Sequence, residues 1–500
     1  MTGEARNAEE NGASRGSIRP VALTLVVATA MAAALVPIPG LSDRAHAALV
    51  VLIAVAGLWM TEAVPLAVAS LLVPVLAILL RATDAKTAFA GFGDPILFLF
   101  LGTFLLTDAI FAHGLQARLV RSVLGSRLVR SDPRRLLFAV ALLGCAISAW
   151  VNNTATTAIL LPLALAADGR VSPRLLTGIL LLAAYAPSLG GLATPVGTAP
   201  NLLGLRLLEE ATGERLSFTH WCAVFAPLAL LATLLTTVYL AWRCGWGRGR
   251  VDGGPGSSPA AAPVSASPSA PAPLVAPVTP WSLAERTLLI VLVAVIALWI
   301  TPGILQATPL RDAAWVKEWS ARFPEACVPL FGALLLFILP SGRARAPILD
   351  ARAFGRLDWK TLLLFGGGLS LGGILFETGL AMSIGNAIFA AMPIRGEYGI
   401  ILAATLMAIL VSEVTSNTAS ASLVVPIVIF LAQAAGVDPL RPAIAATVGC
   451  SFGFMLPVST PPNALVFATG RIRVQEMIRY GIALDLLGAV LISGWVWWAL

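Results

Sequence analysis

The strongest constraint in this chain is that its first half recurs in its second. Phe100-x-Gly102 and Phe111-x-x-Gly114-Leu115 reappear as Phe365-x-Gly367 and Phe376-x-x-Gly379-Leu380, each 265 positions later. Asn153-Thr154-Ala155 and Pro162 reappear as Asn417-Thr418-Ala419 and Pro426, 264 positions later. Pro195-Val196-x-Thr198-x-Pro200-Asn201 returns as Pro457-Val458-x-Thr460-x-Pro462-Asn463, at 262, and Leu58-Trp59-x-Thr61 pairs with Leu298-Trp299-x-Thr301, at 240. Ordered matches at a slowly drifting offset mark an internal duplication, with one extra helix in front.

Composition says what solvent the duplicated unit folds in. Hydrophobic residues make up 58% of the chain and charged residues 12%, with a mean hydropathy of +0.87. A soluble domain carries about a quarter charged residues. That excludes a soluble enzyme, a nucleic-acid binder and a disordered scaffold. The expected fold is an all-α polytopic membrane protein of about 11 transmembrane helices. The net charge of +7 then belongs to cytoplasmic loops rather than to nucleic-acid contacts. The reading divides the chain into a cytoplasmic N-terminal tail (1–19), an uncleaved first helix (20–45), a first repeat (46–246), a linker (247–280) and a second repeat (281–500). The linker, mainly Gly, Pro, Ala and Ser, is read as flexible and cytoplasmic. The five cysteines (Cys145, Cys222, Cys244, Cys327, Cys450) show no CxxC or Cys/His spacing and are expected as buried thiols, with no disulfide, zinc site or cofactor.

Charge placement orients the repeats. The span at 95–112 is followed by Arg118, Arg121, Arg127, Arg130, Arg134 and Arg135, whereas its partner at 361–380 is preceded by Arg343, Arg345, Arg352, Arg356 and Lys360. Cytoplasmic loops collect Lys and Arg, so equivalent segments run in opposite directions and the repeats are inverted. The reading puts the N-terminus in the cytoplasm and the C-terminus outside.

Two polar islands occupy equivalent places. Ser148, Asn152, Asn153, Thr154, Thr156 and Thr157 interrupt the apolar run 136–167; Ser412-Glu413-Val414-Thr415-Ser416-Asn417-Thr418 interrupts 398–436. The first run has basic flanks (Arg134 and Arg135 before, Arg170 and Arg174 after), the second few charges, with Arg395 and Glu397 before and Asp438 and Arg441 after. They are expected as re-entrant helical hairpins entering from the cytoplasmic and external sides. A hairpin tip offers free N–H groups and the positive end of a helix dipole. Asn adds an oxygen for a small hard cation and an N–H₂ for a carboxylate. The third pair, Thr194 to Asn201 and Pro457 to Asn463, carries prolines that mark unwound helices. Unwinding frees carbonyls of the kind that coordinate Na⁺ in discontinuous transporter helices.

These motifs, with Gly57-Leu58-Trp59-Met60-Thr61-Glu62-Ala63-Val64-Pro65 and Leu364-Phe365-Gly366-Gly367-Gly368, resemble the divalent anion–sodium symporter family of dicarboxylate, citrate and sulfate carriers. The resemblance covers nearly all of 46–480. It implies a homodimer in which a transport domain moves against a scaffold domain as an elevator. It places sodium at Ser148, Asn152, Asn153 and Gly197 in the first half and at Ser412, Thr415, Asn417 and Ser459 in the second. Substrate contacts would fall on Asn153, Thr154, Ser416, Asn417, Thr418, Thr460 and Pro461. Asn152 stands where the family has Ser, a departure that bears on the first sodium site.

The chemistry asks for cations independently. A dianion in low dielectric is costly, the islands contain no Lys or Arg, and a helix end supplies only about half a charge. The expected function is uptake of a divalent organic anion, such as succinate or malate, coupled to Na⁺ across the cell membrane. A sodium/proton antiporter, a dicarboxylate exchanger or an inorganic oxyanion (sulfate) carrier is the alternative. Glu413 is read as a carboxyl holding the hairpin's shape. Glu62, Asp108 and Glu377 receive no transport role. An intramembrane protease reading of Gly91-Phe92-Gly93-Asp94 fails because no Tyr-Asp partner occurs, and Asp94-Pro95 is an ordinary helix start. No HExxH or Walker loop occurs either, so no enzymatic activity is expected.

Overall fold

The computed structural model describes residues 20–124, 132–245, 280–306, 308–309, 313–342, 346–391 and 396–500. The expected tail, linker positions 247–279, and Arg127, Arg130, Arg343, Arg345 and Arg395 lie outside them. Regular structure among the described residues is helical apart from an isolated bridge between Pro340 and Pro347. Nine of the described helices are long and apolar enough to cross a membrane, and six further apolar helices are shorter. The protein is a helical multi-pass membrane protein, as its composition demands.

Both polar islands are hairpins. In the first, Leu136–Ser148 and Asn153–Leu165 are arms of 13 residues, each rising only about 20 Å. The turn between them closes on Asn152, whose Oδ1 accepts the Ala155 N–H at 2.8 Å. In the second, Glu397–Val414 and Asn417–Ala434 are arms of 18 residues, longer than the apolar arms 399–411 and 423–433 read from the sequence. Ser416 Oγ caps the returning arm by accepting the Ala419 N–H at 3.3 Å.

The proline motifs break two helices. Pro173–Gly190 gives way through a 3₁₀ turn to an irregular stretch before Ala199–Thr212 begins. Leu440–Gly449 and Pro461–Phe467 flank the matching break. Within the Pro173–Ala193 segment, residues 175–192 are all buried, and the segment packs against the first hairpin. Gly190 makes that approach possible: a Cβ there would meet the Cys145 Cα at 2.4 Å. Small residues at such crossings are how membrane helices gain packing without a hydrophobic drive. By contrast, Leu283–Gln306 is mostly unburied and presents Ile290 and Val293 outward, as a lipid-facing helix should.

Several local expectations meet their physical cause here. Asp94 caps Pro95–Ala112 through the Ile96 N–H at 2.9 Å, with Pro95 in the first helical position. Asp108 pairs with Arg356 at 2.7 Å, Glu377 pairs with Arg44 and Thr83, and Glu62 terminates Asp43–Thr61. One expectation fails. Cys244 and Cys450 are buried and Cys145 and Cys222 half-buried, but Cys327 is exposed. It opens the short helix Cys327–Leu336, where an apolar flank in sequence does not guarantee a protein neighbour.

Candidate functional site

The two hairpin tips and the two helix breaks meet around one cavity of ≈510 Å³. Asn152, Asn153 and Thr154 come from the first hairpin, Ser416, Asn417 and Thr418 from the second, Gly197 and Thr198 from the first break, and Thr460 and Pro461 from the second. All seven residues expected to touch substrate line it. Three helices of 13 residues or more begin at its wall from the tips and the first break, with Asn152, Ser416 and Thr198 at their N-cap positions; Trp359–Glu377 begins there too, but behind the carboxylate of Asp358. Each such N-terminus carries the equivalent of about half a positive charge and unpaired N–H groups. The sequence reading counted only the hairpin tips; the helix starting at Ala199 adds a third.

The sodium-site residues divide differently. Asn152, Asn153, Gly197 and Asn417 line the cavity, whereas Ser148, Ser412, Thr415 and Ser459 lie buried outside its wall. The two halves use the same bonds. Ser148 Oγ donates to Asn153 Oδ1 at 2.7 Å, and Ser412 Oγ to Asn417 Oδ1 at 3.0 Å. Asn201 Nδ2 donates to the Gly191 and Thr194 carbonyls at 3.0 and 2.9 Å; Asn463 Nδ2 donates to those of Gly453 and Leu456 at 2.8 and 3.0 Å. The 264 and 262 offsets of the sequence thus reappear as matched hydrogen bonds. Thr415 departs from its set, since its Oγ1 donates to the Trp59 carbonyl at 3.3 Å.

Oxygens converge behind each tip. A methyl group on Gly191 would lie 2.8 Å from Asn153 Oδ1 and 3.1 Å from the Gly197 carbonyl oxygen. One on Gly453 would lie 3.2 Å from the Ser412 carbonyl oxygen and 3.4 Å from its Oγ. Amide, hydroxyl and carbonyl oxygens in a cradle that excludes a side chain suit a small hard cation. Neither glycine stood out in the sequence, although they too are 262 positions apart.

Glu413 supports the second break. Its carboxylate accepts the Met455 and Leu456 N–H groups at 2.8 and 3.1 Å and the Ser459 hydroxyl at 2.7 Å. These bonds hold the break at 455–459 rather than the hairpin itself, whose shape the sequence reading had assigned to Glu413.

The opposite wall was missed. Thr103 and Thr107, four apart on the helix Pro95–Ala112, face the tips, as do Thr361 and Lys360 at the start of Trp359–Glu377. The threonine spacing puts both on one helical face but names no partner for it. Lys360 had been counted only as loop charge, yet it is the one Lys or Arg among the described residues lining the cavity.

The chain is similar to known transporters. The citrate transporter family profile matches residues 56–449 and 313–500. A sodium-dependent dicarboxylate transporter, SdcS, of Staphylococcus saprophyticus is 28% identical over 90% of this chain and 85% of its own. The Staphylococcus aureus SdcS is 28% identical over 87% and 82%. An uncharacterized transporter of Haemophilus influenzae is 30% identical over 91% and 92%. The crystal structure of the YdaH transporter of Alcanivorax borkumensis superposes with a TM-score of 0.55 at 17% identity, over 84% of this chain and 88% of that one; it shares the fold.

Proposed function

The chain belongs to the citrate transporter family, and from that premise we propose that it imports a C4-dicarboxylate dianion, succinate or malate, together with sodium ions. As a member of that family it is a transporter, not an enzyme. The observation that carries the proposal is the convergence of the two Asn-bearing tips on one cavity, each backed by an oxygen cradle. The dianion sits against the helix starts and takes N–H donors from Asn153, Asn417 and the tip backbone. Sodium ions occupy the cradles at Ser148, Asn152, Asn153 and Gly197 and at Ser412, Thr415, Asn417 and Ser459. Their charge offsets what three half-charges leave uncompensated.

The same reading makes the repeats inverted, the hairpins re-entrant, the N-terminus cytoplasmic and the protein a homodimer. The hairpins and broken helices move as an elevator past a scaffold that includes Thr103, Thr107 and Lys360. Uptake of labelled succinate into proteoliposomes tests the coupling: an inward sodium gradient stimulates it strongly. Absence of sodium-stimulated uptake of any dianion would favour the antiporter, the exchanger or the sulfate carrier.

Lys360 supplies a second test. As an exposed ammonium at the cavity it attracts the dianion without being buried against it. Lys360→Gln should therefore raise KM roughly threefold to tenfold, with less effect at high salt, while Lys360→Arg stays near wild type. Equal KM values for Gln and Lys at low ionic strength would remove this role.

A further inference from the structure

The cavity reaches solvent where Trp359–Glu377 begins, since Asp358 and Lys360 line it and both are exposed. Thr107, near the end of Pro95–Ala112, lines it too. The helix Ala199–Thr212 starts at the cavity wall and runs toward the opposite end of Pro95–Ala112. About 10 Å along it, Arg206 Nε donates to Asp94 Oδ2 at 2.7 Å. Between the two helices lies a second cavity of ≈270 Å³, walled by Leu99 on one side and by Leu202 and Leu205 on the other. The ion pair therefore spans a seam that apolar packing leaves incomplete. In the elevator reading, on which this inference rests, Ala199–Thr212 is the second half of a moving broken helix and Pro95–Ala112 is scaffold. Asp94 and Arg206 thus tie the mover to its frame on the side away from the mouth.

The duplication supplies a counterpart. Asp94 and Asp358 stand 264 positions apart, each at the start of its matched helix, and each caps that helix with one carboxyl oxygen. The second oxygens differ: that of Asp94 takes Arg206, whereas that of Asp358 takes the hydroxyl of Thr361 at 2.5 Å. The position matching Arg206 at the 262 offset is Ala468, and Arg471 stands three residues beyond it, after the short helix Pro461–Phe467 has ended. Arg471 pairs here with Asp168 at 2.8 Å, just past the first hairpin, so this bond lies within the moving body. In an inverted duplication the two copies trade conformations as access alternates. The half that is bridged and the half that is unbridged should then exchange. We propose that Asp94 and Arg206 form a latch that shuts the far side while the cavity is open at Lys360, and that Asp358 and Arg471 form the matching latch in the opposite state. Release is inexpensive on both sides. Arg206 keeps Glu209, at 3.3 Å, and the Arg471–Asp168 pair, 49% and 41% exposed, is of the kind that contributes little.

The test is a distance across the seam. Spin labels on Lys86→Cys, eight residues before Asp94, and on Glu214→Cys, in the loop after Ala199–Thr212, both occupy exposed positions; Cys327→Ser removes the exposed native thiol. Double electron–electron resonance of the full chain in liposomes then measures the separation of this structure, a second separation for the opposite state, and the population of each. Arg206→Gln and Asp94→Asn should each shift the ratio about threefold to tenfold toward the second separation. Arg471→Gln and Asp358→Asn should shift it by a similar factor toward the first. The two Asn variants keep a capping oxygen for their helices, and Asp94→Arg combined with Arg206→Asp should restore the wild-type ratio. Two separations whose ratio ignores Arg206→Gln and Asp94→Asn would overturn the latch alone. Shifts in one direction from all four variants would overturn the exchange of partners. A single separation in every protein, with or without sodium and succinate, would overturn the elevator reading and the latch with it.

Discussion

Asn153→Ala and Asn417→Ala each reduce dianion uptake by about 100-fold or more while leaving a protein that inserts and folds. The magnitude follows from position. Each asparagine opens a helix at the cavity wall and its Oδ1 accepts a serine hydroxyl; that of Asn153 lies in the Gly191 cradle, and the serine that bonds Asn417 lies in the Gly453 cradle. Truncation removes a polar contact to a charged ligand, about 2–3 kcal/mol, and perturbs the adjoining cation site as well; ~2.7 kcal/mol is already 100-fold. Stability should change little, because the backbone N–H groups of the tips are accepted by other side chains. Asn152 Oδ1 accepts the Ala155 N–H and Ser416 Oγ that of Ala419. Uptake into proteoliposomes, with size-exclusion profiles to report folding, separates the two effects. Near-wild-type uptake by either variant would remove the proposed site. A serine variant at either position, keeping an oxygen but losing reach, should fall between Ala and wild type.

How much of this was legible beforehand depended on whether the signal was local. The hairpins could be read because Asn152-Asn153-Thr154 and Ser416-Asn417-Thr418 are polar knots in apolar runs, and a cap residue needs only its own neighbours to act. The breaks could be read because proline acts on its own turn. The convergence of the four motifs was inferred from duplication alone, since two copies of one unit place like parts about a common centre. Lys360, Thr103 and Thr107 escaped because they are long-range: nothing near them in sequence says that their helices wall the cavity. The arms of the second hairpin were underestimated because tertiary contacts extend helices past the apolar core of the pattern. Its polar ends, Glu397 among them, are held by pairs such as Arg441 with Glu397 at 2.7 Å.

The asparagines that end the two proline motifs should behave in the opposite way from those at the tips. Asn201 and Asn463 are 0% and 1% exposed, and the amide nitrogen of each ties two carbonyls of an unwound stretch. An irregular backbone inside a membrane persists only if such carbonyls are satisfied. Asn463→Leu fills similar space but strands the Gly453 carbonyl, whereas that of Leu456 keeps the Ser459 hydroxyl at 3.0 Å. One buried unsatisfied group costs about 1–3 kcal/mol, expected as a fall of about 1–3 °C in the melting temperature of the detergent-solubilised protein. Asn201→Leu should match it, since the bonds are the same at the 262 offset. Asn→Asp at either position has the same shape without the donor, so it should be no better, and its buried charge makes it worse. Transport is lost in all four, but as a consequence of losing the loops rather than of losing a ligand. The unpartnered Oδ1 of each residue sharpens the contrast. If Asn463→Leu melted with wild type yet failed to bind sodium, the side chain would be an ion ligand and the clamp would be incidental. A drop in melting temperature that added sodium does not restore means that these two residues build the breaks on which the cradles depend.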